Sequence, residues 1–207
     1  MQQMPPEMSS TAEPAVADPG YEECCAYFDE QENEVAAQMM EMMTAMPAFE
    51  DIEARTFSIT GDDGTDIELT VYRPASASDP LPGVVYLHGG GMAILTAKHP
   101  PCVRWAKSLA ALGLAVVAVE FRNGAGKLGR HPFPAGLNDC TSATRWIGEH
   151  RAELGISTLT VSGESGGGNL SLATVLKAKL DGWLNLIDGV YALCPCTFGD
   201  YVNAAEN

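Results

Sequence analysis

Basic residues are scarce in this 207-residue chain: 12 Lys and Arg stand against 27 Asp and Glu, a formal net charge of −15 with His neutral. A surface that grips a phosphate backbone needs clustered cations, so nucleic acid is excluded as a partner. Also missing is any run near the roughly 20 consecutive apolar residues of a membrane span. The first 20 residues lack the basic start and apolar stretch of a secretory signal, so no membrane span and a cytoplasmic location are expected. Cysteine is sparse: Cys24, Cys25, Cys102, Cys140, Cys194 and Cys196 are too few and too scattered for a disulfide framework. Cys194-Pro195-Cys196 has no second pair at metal spacing, so reduced thiols are expected and no metal site.

What is present is a chain with enough apolar residues, 46%, to bury the core of one domain. Its acids are unevenly placed. Residues 1–66 hold 16 of them with a single base, Arg55, whereas the remainder is neutral. The excess therefore marks the N-terminal third as tail and cap. Residues 1–20, dominated by Pro, Ala, Ser and acids, read as a disordered acidic tail. Residues 21–53 read as an N-terminal cap segment. Within it a helical period over Glu32 to Met46 puts Val35, Met39, Met42, Met43 and Met46 on one face, and Glu34, Gln38 and Glu41 opposite. The expected role of that face is packing on the main body, with a lid over a substrate as the functional version of the same contact.

From residue 54 the pattern changes to strands. Arg55 to Thr60, the turn Gly61-Asp62-Asp63-Gly64 and Asp66 to Tyr72 predict a β-hairpin. Further strands are predicted at Gly83 to Leu87, Ala115 to Phe121, Leu159 to Ser162 and Ile187 to Leu193. Helices between them are predicted at Pro101 to Leu112, Ala135 to Leu154 and Gly166 to Leu180. Continuous apolar strands such as Ala115-Val116-Val117-Ala118-Val119 belong in a parallel sheet covered on both faces, which makes the fold class α/β.

The sharpest chemical signal is Gly163-Glu164-Ser165-Gly166-Gly167, a G-x-S-x-G between a predicted strand and a predicted helix. A nucleophile elbow needs that setting: the tight turn projects the Ser oxygen above the sheet, and glycines at its flanks avoid clashes. The second signal is His88-Gly89-Gly90-Gly91 at the end of another strand, where glycines let backbone N–H groups face a substrate oxygen. A third string, Gly124-Ala125-Gly126-Lys127-Leu128-Gly129, has dinucleotide spacing. Pro132 and Pro134 follow it, so no helix can open inside the loop to meet a pyrophosphate, and no cofactor is expected. The sequon Asn169-Leu170-Ser171 falls in a predicted helix and is discounted.

These motifs, with Glu120-Phe121-Arg122-Asn123 leading to His131-Pro132-Phe133-Pro134-Ala135, resemble the hormone-sensitive-lipase group of α/β-hydrolase esterases over about Phe57 to Tyr191. The resemblance implies a mostly parallel sheet flanked by helices, with N-terminal cap helices, and a partial α/β-hydrolase domain over 54–207. It implies a carboxylesterase acting on a small-molecule ester or lactone with short to medium acyl groups. Ser165 would be the nucleophile and the N–H groups of Gly90, Gly91 and Gly166 the oxyanion hole. His88 would be structural, and a homodimer is expected for a full-length form.

One element of that chemistry is missing. The enzyme order is Ser, then Asp or Glu, then His, yet His88, His99, His131 and His150 all precede Ser165. Two expectations follow. One is an N-terminal part of a longer esterase, lacking the triad Asp and His, inactive alone, and left with an aggregation-prone sheet edge at Ile187 to Leu193. The other is a non-catalytic ligand-binding relative, since plant gibberellin receptors belong to the same family and have lost the catalytic His.

Overall fold

The computed structural model describes residues 20–43, 46, 48–78 and 80–197. Of the predicted tail only Gly20 falls among them. The elements run α1 (Tyr21–Met43), β1 (Ile52–Thr60), β2 (Asp66–Pro74), β3 (Leu81–Leu87), α2 (Pro100–Ala111), β4 (Ala115–Glu120) and α3 (Ala135–Glu149). They continue with α4 (Arg151–Leu154), β5 (Ile156–Glu164), α5 (Gly166–Leu180), a 3-10 turn at Leu184–Leu186 and β6 (Gly189–Leu193). Among the described residues no helix is long and apolar enough to cross a membrane.

One mixed sheet organises the chain, in the order β1-β2-β4-β3-β5-β6. The β1–β2 hairpin joins β4 antiparallel, while β4, β3, β5 and β6 run parallel. The apolar strands are covered on both faces, as such runs require. On one side Leu69, Val85, Val117, Val119 and Val161 pack with Cys140, Ala143 and Ile147 of α3 and Leu170 of α5. On the other, Tyr72, Tyr86, Val116 and Ala118 pack with Cys102, Ala106 and Ala110 of α2. The chain leaves β3 toward β4 and leaves β5 toward β6, in opposite directions across the sheet. Neighbouring strands with diverging connections open a crevice at their carboxyl ends, the usual place for a ligand in an open α/β sheet. β6 lies at the sheet edge, with Val190, Tyr191 and Leu193 partly exposed.

Two predicted elements need correction. The helix over Ala135 to Leu154 breaks at His150, and its second piece ends on Gly155 at φ +62, a left-handed cap that glycine adopts at little cost. The cap helix begins at Tyr21, eleven residues before the apolar period, and ends at Met43, so Met46 lies outside it and is half exposed. The side chains of Met42 and Met43 lie outside what is described. Val35 and Met39 are half-buried, whereas the fully buried positions of α1 are Cys25 and Glu32. The helix is thus seated largely through polar groups. A search for apolar period passes over that first half, because its contacts are polar: Tyr21 Oη donates to the Gly124 carbonyl, Glu22 pairs with Arg130, and Asp29 accepts from the Gly126 amide.

The acid excess of residues 1–66 is also spent differently from the tail-and-cap reading. Asp62 and Asp63, in the β1–β2 turn, pair with Arg145 and Arg122, while Glu22 and Asp29 of α1 meet Arg130. Bases of the neutral part thus take up several acids of the N-terminal third.

Candidate active site

Parallel pairing of β3 with β5 sets Leu87 opposite Gly163, so the strings that follow each strand emerge side by side. Ser165 stands between β5 and α5 with φ +54 and ψ −117, a backbone conformation that non-glycine residues rarely hold and that costs of order 1–3 kcal/mol. Its side chain is exposed, directly before the free N–H groups and positive dipole end of α5. Three backbone bonds over-determine the turn. The Ser165 N–H donates to the carbonyl of Leu193 at the end of the neighbouring β6 (2.9 Å), and the Ser165 carbonyl accepts from Asn169 N (3.1 Å) and Cys196 N (3.2 Å). Asn169 Nδ2 then donates to the Cys196 carbonyl at 2.6 Å. The Cys194-Pro195-Cys196 segment, read from sequence only as ordinary thiols, thus braces the elbow with its backbone, and none of the six cysteines is in a disulfide.

If the fold imposes this geometry on Ser165, relieving it stabilises the protein. Ser165→Gly is expected to be about 1 kcal/mol more stable than Ser165→Ala, which keeps the strained Cβ. Urea denaturation of the two variants measures this, and equal midpoints would mean that the turn carries no strain.

Close approach explains the glycines around Ser165. A methyl on Gly166 would sit 2.8 Å from the amide nitrogens of both Gly91 and Met92, so the loop after β3 lies directly against the elbow. Gly90 (φ +108) and Gly91 (φ +63) turn that loop; Gly90 abuts the Ile94 carbonyl, and Gly91 has open space beside it. The structure therefore brings together Gly90, Gly91, Ser165 and Gly166. It adds Met92, whose amide shares the Gly166 face and which no glycine motif would single out.

Glu164, beside the serine, turns away from it. Its Oε1 accepts from Tyr86 Oη and Gly89 N, both at 2.9 Å, which ties the two motifs together, and burial raises its pKa. An apolar cavity of about 240 Å³ lies next to it, lined by Met39, Tyr86, Pro101, Cys102, Trp105 and Leu193 besides Glu164 itself. His88 is fully buried, its ring stacked on Phe121 at 4.2 Å, and burial lowers its pKa to about 4. His150 stacks on Trp146 and bonds the Trp146 carbonyl through Nδ1, while His99 precedes the first turn of α2.

Glu120-Phe121-Arg122-Asn123 has a mechanical reading. Glu120 accepts from Thr96 Oγ1 (2.5 Å) and Ala97 N (3.0 Å), and Phe121 supports His88. Arg122 forks onto the buried Asp139 through Nε and Nη2, while Asn123 Nδ2 donates to the Leu95 carbonyl at 2.6 Å. Two of the four, Glu120 and Asn123, therefore fasten the segment that follows the β3 glycines. The string Gly124 to Gly129 is a loop, and its Gly126 and Lys127 amides hold carboxylates of α1.

Comparison with known proteins agrees with this fold. A family model described as alpha/beta hydrolase fold matches residues 84–207. Brefeldin A esterase, described as a bacterial homologue of human hormone sensitive lipase, superposes with a TM-score of 0.83 at 45% identity, over 88% of this chain and 51% of that one. Esterase Est22 superposes with a TM-score of 0.80 at 33% identity, over 94% and 60% of the two chains. Carboxylesterase NlhH of Mycobacterium tuberculosis is 42% identical over 132 residues, 62% of this chain and 39% of its own length. The chain spans about half the length of these relatives. It belongs to the α/β-hydrolase family.

Proposed function

We propose that the chain carries the nucleophile half of a carboxylic ester hydrolase for short to medium acyl esters or lactones. The observation that carries this reading is the exposed Ser165 held at φ +54, with the Gly91 and Met92 amides lying against the adjacent Gly166. Ser165 Oγ attacks the acyl carbon, and the N–H groups of Gly90, Gly91 and Gly166 receive the oxyanion. The alcohol then leaves with a proton, and water releases the acyl group from the serine. The apolar cavity beside Glu164 suits an acyl chain of modest size. A base must take the Ser165 proton, and the four His all precede Ser165 and belong to other contacts or positions, so the acid and base come from outside these 207 residues. The greater length of the relatives supports that assignment.

Fluorophosphonate labelling tests the reading, with Ser165→Ala as control. The 207-residue chain should label weakly or not at all, and the translation product continued past codon 207 should label strongly at Ser165. Labelling that persists in the Ser165→Ala variant, or its absence from the continued product, would sink the proposal. Strong labelling of the 207-residue chain would instead make an upstream His the base. The lack of any His after Ser165 favours one second reading, a ligand-binding relative without turnover. A stop at codon 207, with saturable ester binding and no hydrolysis, would establish it.

A further inference from the structure

The Gly90–Leu95 turn that carries the Gly91 and Met92 amides is itself strained. Met92 and Leu95 hold φ +63 and φ +73 without being glycine, a state that persists only where the surroundings enforce it. Part of the enforcement is internal, since Ala93 N and Ile94 N both donate to the Gly90 carbonyl. The rest comes from outside. Leu95 is gripped on both sides: its carbonyl accepts from Asn123 Nδ2, and its N–H donates at 2.8 Å to Glu32 Oε1 of α1. The other oxygen of Glu32 accepts from Lys127 N at 2.9 Å, and Asp29 Oδ1, one helical turn earlier, accepts from Gly126 N at 3.0 Å. The 124–127 loop in turn donates from Gly124 N to the Met92 carbonyl and from Ala125 N to the Ala93 carbonyl. Glu32 therefore joins two loops that already meet along Met92 and Ala93, and it does so at only 2% exposure.

A carboxylate is an expensive way to seat a helix, because burying it is unfavourable unless its oxygens are hydrogen-bonded. Here both oxygens are used, on different loops, and one of those loops leads to the proposed oxyanion hole. Gly126, at φ +72, leaves room for it: a methyl there would stand 2.9 Å from Glu32 Oε2. From this geometry we infer that Glu32 is a positioning residue, a clip from the N-terminal helix that holds the Gly90–Leu95 turn in the strained form that sets the Gly91 and Met92 amides against Gly166, next to Ser165. The inference rests on the proposed role of the Gly91 amide, and it makes α1 part of the machinery that shapes the oxyanion hole as well as a cover.

The test is amide NMR and hydrogen exchange on the 207-residue chain, which read the turn without any catalysis. Glu32→Ala is expected to move the Gly91 and Met92 amide resonances and to speed exchange at Leu95 by about tenfold or more, leaving β3 and α5 unchanged. Gly126→Ala, which pushes on the carboxylate from the other side, should do the same. Glu32→Gln, which keeps one acceptor, should fall between, and Glu34→Ala, exposed on the same helix, should be silent. Gly91 and Met92 resonances that stay in place in Glu32→Ala would overturn the clip and leave Glu32 a helix anchor. Should Glu32→Ala fail to fold, Gly126→Ala and Glu32→Gln decide the matter by the same resonances. Failed fluorophosphonate labelling of the continued product with these shifts intact would remove the serine chemistry and keep the clip, and the reverse pattern would remove the clip alone.

Discussion

Gly167→Ala should cost the protein a large part of its stability, about 3 kcal/mol or more against the roughly 5–15 kcal/mol of an ordinary domain. Helix propensity predicts the opposite sign, because Gly167 lies in the first turn of α5 and Ala is the better helix former by about 1 kcal/mol. Packing decides. A methyl at Gly167 would overlap the Leu87 carbonyl oxygen and stand 2.5 Å from that of His88. Both belong to fully buried residues at the end of the central strand β3, so neither can retreat without moving the sheet. Gly163 closes the other side, where an added methyl would stand 2.5 Å from the Gly167 carbonyl group. Gly124→Ala is the control: its nearest neighbour would be the Met92 carbonyl at 3.6 Å, so its effect should stay within about 0.5 kcal/mol. Urea denaturation followed by far-ultraviolet circular dichroism measures both. A Gly167→Ala variant as stable as the parent would mean that β3 and α5 do not approach as closely as described.

The parts of the fold legible in the sequence are those set by period and by glycine. Val84 to Leu87 and Ala115 to Val119 announce buried parallel strands, and Gly163 to Gly167 announces a tight strand-to-helix turn whose glycines have the close neighbours that such a turn demands. The neighbours of those motifs were less legible. Nothing in the spacing says that Leu87 pairs with Gly163, because the chain visits β4 and α3 between them. The seating of α1 was hidden for a different reason. Of its buried anchors, Cys25 lies ahead of the apolar period and Glu32 puts a charge on the period's own face, and the partners of Glu32 are amides of Leu95 and Lys127, which any sequence would supply. The Gly124 to Gly129 string could be rejected as a nucleotide loop from Pro132 and Pro134, yet its use as a carboxylate cradle required the helix to be placed first.

Acidification should destabilise the protein between about pH 6.5 and pH 4 through His88, by about 3 kcal/mol. His88 Nδ1 lies 2.7 Å from the Gly89 carbonyl, which can only accept, so Nδ1 carries the hydrogen and Nε2 is bare. Nε2 is buried without a hydrogen-bond partner among the described residues, and the ring lies flat on Phe121. Protonation would put a charge and a new N–H in a place that offers neither solvent nor an acceptor, and this burial lowers the folded-state pKa from 6.5 to about 4. The sign follows from proton counting. Between those values the unfolded chain holds a proton that the folded chain refuses, so stability is complete above pH 6.5, falls as pH drops toward 4, and levels off below it. Urea titrations at about pH 7.5, 5.5 and 4.5 on the parent and on His88→Gln, which cannot titrate, isolate the effect from that of the carboxylates. The variant starts lower at the highest pH, having lost the stacked ring, and should lose about 2–3 kcal/mol less than the parent on going to the lowest. Equal losses in the two proteins would mean that the imidazole can take its proton in place, so that the β3 end and its glycine turn are open to water.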